Sequence, residues 1–166
     1  AGLIKIQEQA QPVKGETPQE VRELSRPTIL VVDDTPENLH MIANLFKDDY
    51  KVRVANNGEK ALEIVQADNQ PDLVLLDIMM PGMDGFAVFK SMREHPNSEH
   101  IPVIFVTAMT GEEALVRGLE MGAIDFVTKP IDPDTLKMRV RNFMQYVELY
   151  RRLQDDYDLM IETAKL

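Results

Sequence analysis

Five side chains of this 166-residue chain occupy the same kind of place. Asp33 and Asp34 follow the apolar run Thr28 to Val32, and Asp77 follows Leu73 to Leu76. Thr107 closes the run that begins at Ile101, and Lys129 follows Asp125 to Thr128. Taken singly, most have ordinary readings. Asp33-Asp34 would serve as turn residues, Lys129 as a solvated loop lysine, and Thr107 as a hydroxyl satisfying backbone. Asp77 is the exception, because an acid ending an otherwise apolar run is costly to bury. Three carboxylates brought together repel and cannot all stay ionised in a low dielectric without compensation. A hard divalent cation with oxygen ligands resolves this, and Mg²⁺ is the usual one where phosphate is handled. An ammonium from Lys129 and a hydroxyl from Thr107, aimed at Asp77, would complete the needs of phosphoryl transfer onto that carboxylate. An Asp side chain is competent as nucleophile and holds the group as an acyl phosphate.

The elements that must position these groups follow a regular rhythm. Strands are predicted at Thr28–Val32, Lys51–Ala55, Leu73–Leu76, Ile101–Val106 and Asp125–Thr128. Helices alternate with them. The first follows Thr35-Pro36-Glu37, an N-cap with proline behind it. Others are predicted at Gly58–Ala67, around Phe86 to Met92, at Glu112–Met121 and from Asp132-Pro133 onward. Leu73 to Leu76 is too short and too apolar for an amphipathic helix, and Pro81, Gly82 and Gly85 punctuate the stretch behind it. Such strands belong to parallel sheets covered by helices on both faces. Five βα units with right-handed crossovers predict an α/β fold, a doubly wound five-stranded parallel sheet of order 2-1-3-4-5 with five helices. All five chemical groups then project from the carboxyl edge of one sheet, where open α/β sheets bind ligands.

Composition excludes several classes. Hydrophobic residues make up 44% of the chain, enough for one core, and the formal net charge is −10. No basic stripe suggests direct nucleic-acid binding, and no apolar stretch is long enough to span a membrane. The absence of cysteine removes disulfide and thiol chemistry and fits a cytoplasmic protein. His40, His95 and His100 have no ligand spacing and read as surface residues. Residues 1–26 read as a largely flexible tail, with a short helix predicted near Thr17 to Leu24. The first residue is Ala rather than Met and the end reads as mid-helix, as expected of a piece of something longer.

These motifs together resemble the receiver domain of two-component response regulators. The carriers are Val31-Val32-Asp33-Asp34, Asp77-Ile78-Met79-Met80-Pro81-Gly82-Met83-Asp84-Gly85, Val106-Thr107-Ala108 and Phe126-Val127-Thr128-Lys129-Pro130. Each is weak alone, but all occur in order and each follows a strand. The resemblance spans 27–145. It implies that Asp77 accepts phosphate from a histidine kinase or phosphotransfer protein. It makes Asp34, Asp77 and the backbone carbonyl of Met79 the Mg²⁺ ligands, with Asp33 acting through water. It makes Thr107 and Lys129 phosphate contacts, Thr107 and Phe126 the switch pair, and the bond before Pro130 cis. Met79 and Met109, where polar residues are commoner in the family, offer nothing to orient an attacking water, so slow self-dephosphorylation is expected.

The last helix carries a second pattern. Leu136, Val140, Phe143, Val147, Tyr150, Gln154, Tyr157, Ile161 and Ala164 recur at alternating steps of four and three, which is coiled-coil spacing. A receiver needs this helix only to about residue 145. Residues 146–166 are therefore expected to extend as a linker to a further output domain and to pair in a homodimer. The expected seam is Val147, Tyr150, Gln154, Tyr157 and Ile161, with Gln154 setting register. The ordinary alternative is an amphipathic helix folded back on its own domain. Linker helices of this type resemble those that lead to histidine-kinase, diguanylate-cyclase or HD-type phosphodiesterase modules.

Two other functions compete. One is a receiver-like interaction module that works without phosphate, which the complete acidic and basic set argues against. The other is a Mg²⁺-dependent phosphatase with an Asp nucleophile. Such enzymes usually place a second Asp two residues on as acid/base, and here that residue is Met79.

Overall fold

The computed structural model describes residues 26–108 and 112–165. Residues 1–25 of the expected tail at 1–26, its short helix, and Met109 lie outside the described residues. Five strands form one parallel sheet in the order β2-β1-β3-β4-β5. They are β1 (Thr28–Val32), β2 (Lys51–Ala55), β3 (Leu73–Leu76), β4 (Val103–Thr107) and β5 (Asp125–Thr128). Helices α1 (Pro36–Phe46), α2 (Gly58–Gln66), α3 (Gly85–Glu94), α4 (Glu112–Glu120) and α5 (Pro133–Ala164) alternate with them. Among the described residues, the expected strand order and the five expected helices are those found.

The period-2 alternation of strand side chains divides the core into two layers. Leu30, Val32, Val74, Leu76, Val103 and Phe105 face α2 and α3 and pack with Ala61, Val65, Val88, Phe89 and Met92. Ile29, Val31, Leu73, Leu75, Ile104 and Val106 face the other way, onto Ile42 and Phe46 of α1 and Leu136, Val140 and Met144 of α5. Every residue of β3 is buried, because both of its faces are covered. The edge strand β2 buries only Ala55.

Local signals differ from expectation in three places. Strand β4 starts at Val103 rather than Ile101. Pro102 has no N–H for the ladder, and the Ile101 N–H donates to the Ser98 carbonyl instead. Thr35 stands at the N-cap of α1 in extended conformation, but its side chain makes no cap hydrogen bond. Its backbone N–H instead donates to Asp33 Oδ1 at 2.9 Å, tying the helix start to the site. On α5 the fully covered stripe is Leu136, Val140 and Met144, with Phe143 only half-buried. A straight helix turns every 3.6 residues, so a strict 3.5 repeat drifts off the face that meets the sheet.

The extension of α5 does not fold back. Every residue from Glu148 to Lys165 is exposed, although the helix is continuous to Ala164. Two ion pairs pin α5 to the domain. Arg139 holds Asp125 at 2.7 Å, and Arg151 holds Asp72, whose other carboxylate oxygen accepts the Thr28 N–H at 2.7 Å. Among the described residues no helix is long and apolar enough to cross a membrane.

Gly85 decides how closely α3 can approach the end of β3. A Cβ there would stand 2.3 Å from the Asp77 carbonyl oxygen and 2.7 Å from Ile78 Cα, both backbone atoms that cannot swing aside. Gly82, at φ +75°, has nothing within 4 Å, so its substitution meets backbone strain alone. Gly85→Ala should therefore lower unfolding stability by about 2–3 kcal/mol. Gly82→Ala should cost about 1 kcal/mol. Urea midpoints test the ranking; a smaller loss at Gly85 would mean that the turn relaxes freely.

Candidate functional site

The ends of β1, β3, β4 and β5 bring the five groups to one edge. Asp33 and Asp77 stand one residue past strand ends, and their N–H groups extend the ladders, donating to the carbonyls of Ala55 (3.2 Å) and Val32 (2.9 Å). The Lys129 N–H likewise donates to the Thr107 carbonyl at 2.8 Å. These bonds fix the backbone under each side chain, so site geometry is inherited from the sheet.

Asp33 is 2% exposed, Asp77 4% and Thr107 0%, whereas Asp34 is open to solvent. Carboxylate oxygens of Asp33, Asp34 and Asp77 lie within 4.8 Å of one another. Lys129 spans the pocket, with Nζ 2.6 Å from Asp33 Oδ2 and 3.3 Å from Asp77 Oδ2. Asp77 Oδ1 accepts the Met79 N–H at 3.2 Å. Both Asp77 oxygens are thus held while the pocket stays open through Asp34 and through Met79, which is 56% exposed.

The titration of the pair follows from burial and charge. Burial pushes the Asp77 carboxyl above its ordinary range; the Lys129 ammonium pulls against this and Asp33 adds to it. Burial alone would lower the Lys129 ammonium, but its hydrogen bond to Asp33 and the nearby charges of Asp77 and Asp33 outweigh that and hold it protonated more firmly than usual. Three acidic oxygens in this space suit a hard divalent cation, and Asp33, Asp34 and Asp77 are the residues that would hold one.

Phe126 lies half-buried on β5, its ring 6.3 Å from that of Phe105 across the strand pair. The Lys129–Pro130 bond is cis. The residues expected at a dimer seam lie far along α5, apart from the acidic pocket. Val147 is half-buried near the domain; Tyr150, Gln154, Tyr157 and Ile161 are exposed. Gly85 and Asp84, which the sequence marks only as turn punctuation and as part of the resemblance motif, belong with the site. Asp84 caps α3 by accepting the Ala87 N–H at 2.8 Å, and the Gly85 N–H donates to the Ile78 carbonyl at 2.8 Å, shaping the loop below Asp77. The signal was present: an N-cap acid followed by glycine after a strand.

Comparison with known proteins agrees with this geometry. Residues 29–141 match the family model described as the response regulator receiver domain. Response regulator PleD of Caulobacter vibrioides is 45% identical over 119 residues, 71% of this chain and 26% of that protein. A Vibrio cholerae protein named "Probable cyclic di-GMP phosphodiesterase" is 42% identical over 125 residues, 75% of this chain and 28% of that protein. The chain therefore spans about a quarter of the length of these relatives. Among solved structures, the signal receiver domain of a signal transduction histidine kinase from Syntrophus aciditrophicus superposes with a TM-score of 0.66 at 32% identity, covering 73% of this chain and 92% of that one. The acidic pocket at the carboxyl edge, the strand order and these matches agree: the chain belongs to the receiver-domain family of two-component response regulators.

Proposed function

We propose that this chain takes a phosphoryl group from a histidine kinase or phosphotransfer protein onto Asp77, and passes that state through α5 to an output domain. The observation that carries the reading is the buried Asp77 carboxylate, held 3.3 Å from Lys129 Nζ beside two further acids. An Asp77 carboxylate oxygen attacks phosphorus. The O–P bond forms as the N–P bond of the donor phosphohistidine breaks, and the leaving imidazole nitrogen takes a proton from solvent. Lys129 is placed to pair with a phosphoryl oxygen, and the Thr107 hydroxyl to donate to another. Phe126 follows Thr107 as the switch aromatic. We assign Mg²⁺ to Asp34, Asp77 and the Met79 carbonyl, with Asp33 acting through water; when bound, it neutralises charge on the transferred oxygens.

Residues 27–145 form the receiver in this reading, and 146–166 the linker to a histidine-kinase, diguanylate-cyclase or HD-type phosphodiesterase output. The relative named as a cyclic di-GMP phosphodiesterase supports the last of these. The exposed extension of α5 supports a homodimer through that helix. A phosphate-independent interaction module is the competing reading.

Mg²⁺ at a hundred times its dissociation constant should stabilise the fold by about 2.7 kcal/mol. Urea unfolding with and without the ion checks this, and Asp34→Asn should remove most of the gain. With Mg²⁺ and acetyl phosphate, one phosphoryl group should enter per chain and decay over minutes or longer, and Asp77→Asn should abolish labelling. A wild-type chain that never labels favours the competing module, while sustained turnover on phosphate esters would mean a phosphatase. Light scattering on the chain and on one ending at Gln145 should give a dimer mass only for the longer form. Repeating it with Mg²⁺ and beryllium fluoride shows whether phosphate controls the pairing.

A further inference from the structure

The extension of α5 contains two overlapping heptad frames, and the structure distinguishes them. Phe143, Tyr150, Tyr157 and Ala164 belong to both. One frame adds Val147, Gln154 and Ile161 on one flank of this stripe; the other adds Tyr146, Leu153 and Met160 on the opposite flank. The two seams differ by a rotation of about 51°, one heptad position of seven.

Three observations separate them. The flank with Val147 is occupied where the helix leaves the domain: Val147 is half-buried, and Arg151, one turn on, is paired with Asp72. A partner helix laid there would compete with the chain's own domain. The opposite flank is open, with Tyr146 at 65% exposure, Leu153 at 60% and Met160 at 70%. Finally, this seam has no polar residue, whereas the other would place Gln154 at its centre. Scattered apolar residues on a surface are ordinary, but large ones aligned along about 26 Å of helix form a patch that calls for a partner.

We propose that α5 pairs in parallel with α5 of a second copy of this chain along Phe143, Tyr146, Tyr150, Leu153, Tyr157 and Met160. Gln154 and Ile161 then lie at the rim. The occupant is a second copy because a heptad stripe is complementary to itself: Tyr146, Leu153 and Met160 fall at one core position and Phe143, Tyr150 and Tyr157 at the other, each meeting its own counterpart across the axis. The large tyrosines suit such a seam, since each buries a ring while its hydroxyl stays at the wet edge. This rests on the homodimer reading given above and fixes which face forms it.

The chain has no cysteine, so single thiols report pairing directly. Leu153→Cys, Met160→Cys, Gln154→Cys and Ile161→Cys would each be made in the full chain, oxidised mildly, and followed by non-reducing electrophoresis, with the mass of each variant measured by light scattering. Disulfide formation at 153 and 160 at least tenfold faster than at 154 and 161 is the expected result, because rim thiols are held apart while seam thiols meet. Dimers that cross-link faster at 154 and 161 overturn the proposed face and leave the homodimer standing. Dimers that cross-link at none of the four positions overturn the parallel helix pair itself. Monomers in the wild type as well as the variants remove the homodimer reading and this one with it.

Discussion

The structure depends on one electrostatic compromise at the carboxyl edge of the sheet. Asp33 and Asp77 are almost fully buried, and Lys129 lies between them. Moving a charge out of water costs several kcal/mol, and a pair recovers this only when its geometry is good and its remaining hydrogen-bond capacity is filled. Here Lys129 is shared, and backbone N–H groups of Thr35 and Met79 fill the remaining carboxylate positions. The balance is still incomplete. Three acids and one ammonium leave two formal negative charges in the pocket. A divalent cation matches that residue of charge, and without one the bare cluster repels an anion.

This constraint explains why the site is built on strand ends rather than on loops alone. A shared cation works only if its partners stay within a few tenths of an ångström of their places. Hydrogen bonds from Asp33, Asp77 and Lys129 N–H groups to neighbouring strand carbonyls provide that rigidity. The same economy links site to exit. Pro130 adjoins Lys129, and α5 begins at Pro133, then runs back across the sheet to Arg151 and Asp72 at the opposite edge. Arg139 on Asp125 ties the helix to β5 on the way. The acidic pocket and the start of α5 are thus joined by three residues of chain, Pro130 to Asp132.

The fold is legible wherever one physical demand acts locally. Leu73 to Leu76 reads as a buried parallel strand because both faces must be apolar, and Asp77 reads as functional because the strand it ends is otherwise wholly apolar. The same holds for the family motifs, whose residues fall at the expected strand ends. Legibility fails where a partner is distant in sequence. The distant partner at Asp33 is Lys129, 96 positions away, which holds one carboxylate oxygen while the other accepts the Thr35 N–H. Arg151 and Asp72 are separated by 79 positions and nothing local marks them as a pair. A heptad count selects Phe143 over Met144, because it imposes a 3.5-residue repeat on a stretch that packs as a straight helix.

That last difference bears on how α5 works. Its first half meets a sheet and obeys the 3.6-residue turn, through Leu136, Val140 and Met144. Its second half is exposed, and its apolar stripe follows 3.5. The two requirements meet between Phe143 and Arg151, where the helix is touched by its domain on one side and open on the other. There the phase of the second pattern is set by the first: whichever face the domain occupies is withdrawn from any partner. A receiver that shifts α5 against β5 by a fraction of a turn would thus alter which apolar face is offered, with no change in the helix itself. The short segment around Val147 and Arg151, rather than the long exposed helix beyond it, is therefore where the domain fixes which face of α5 stays open.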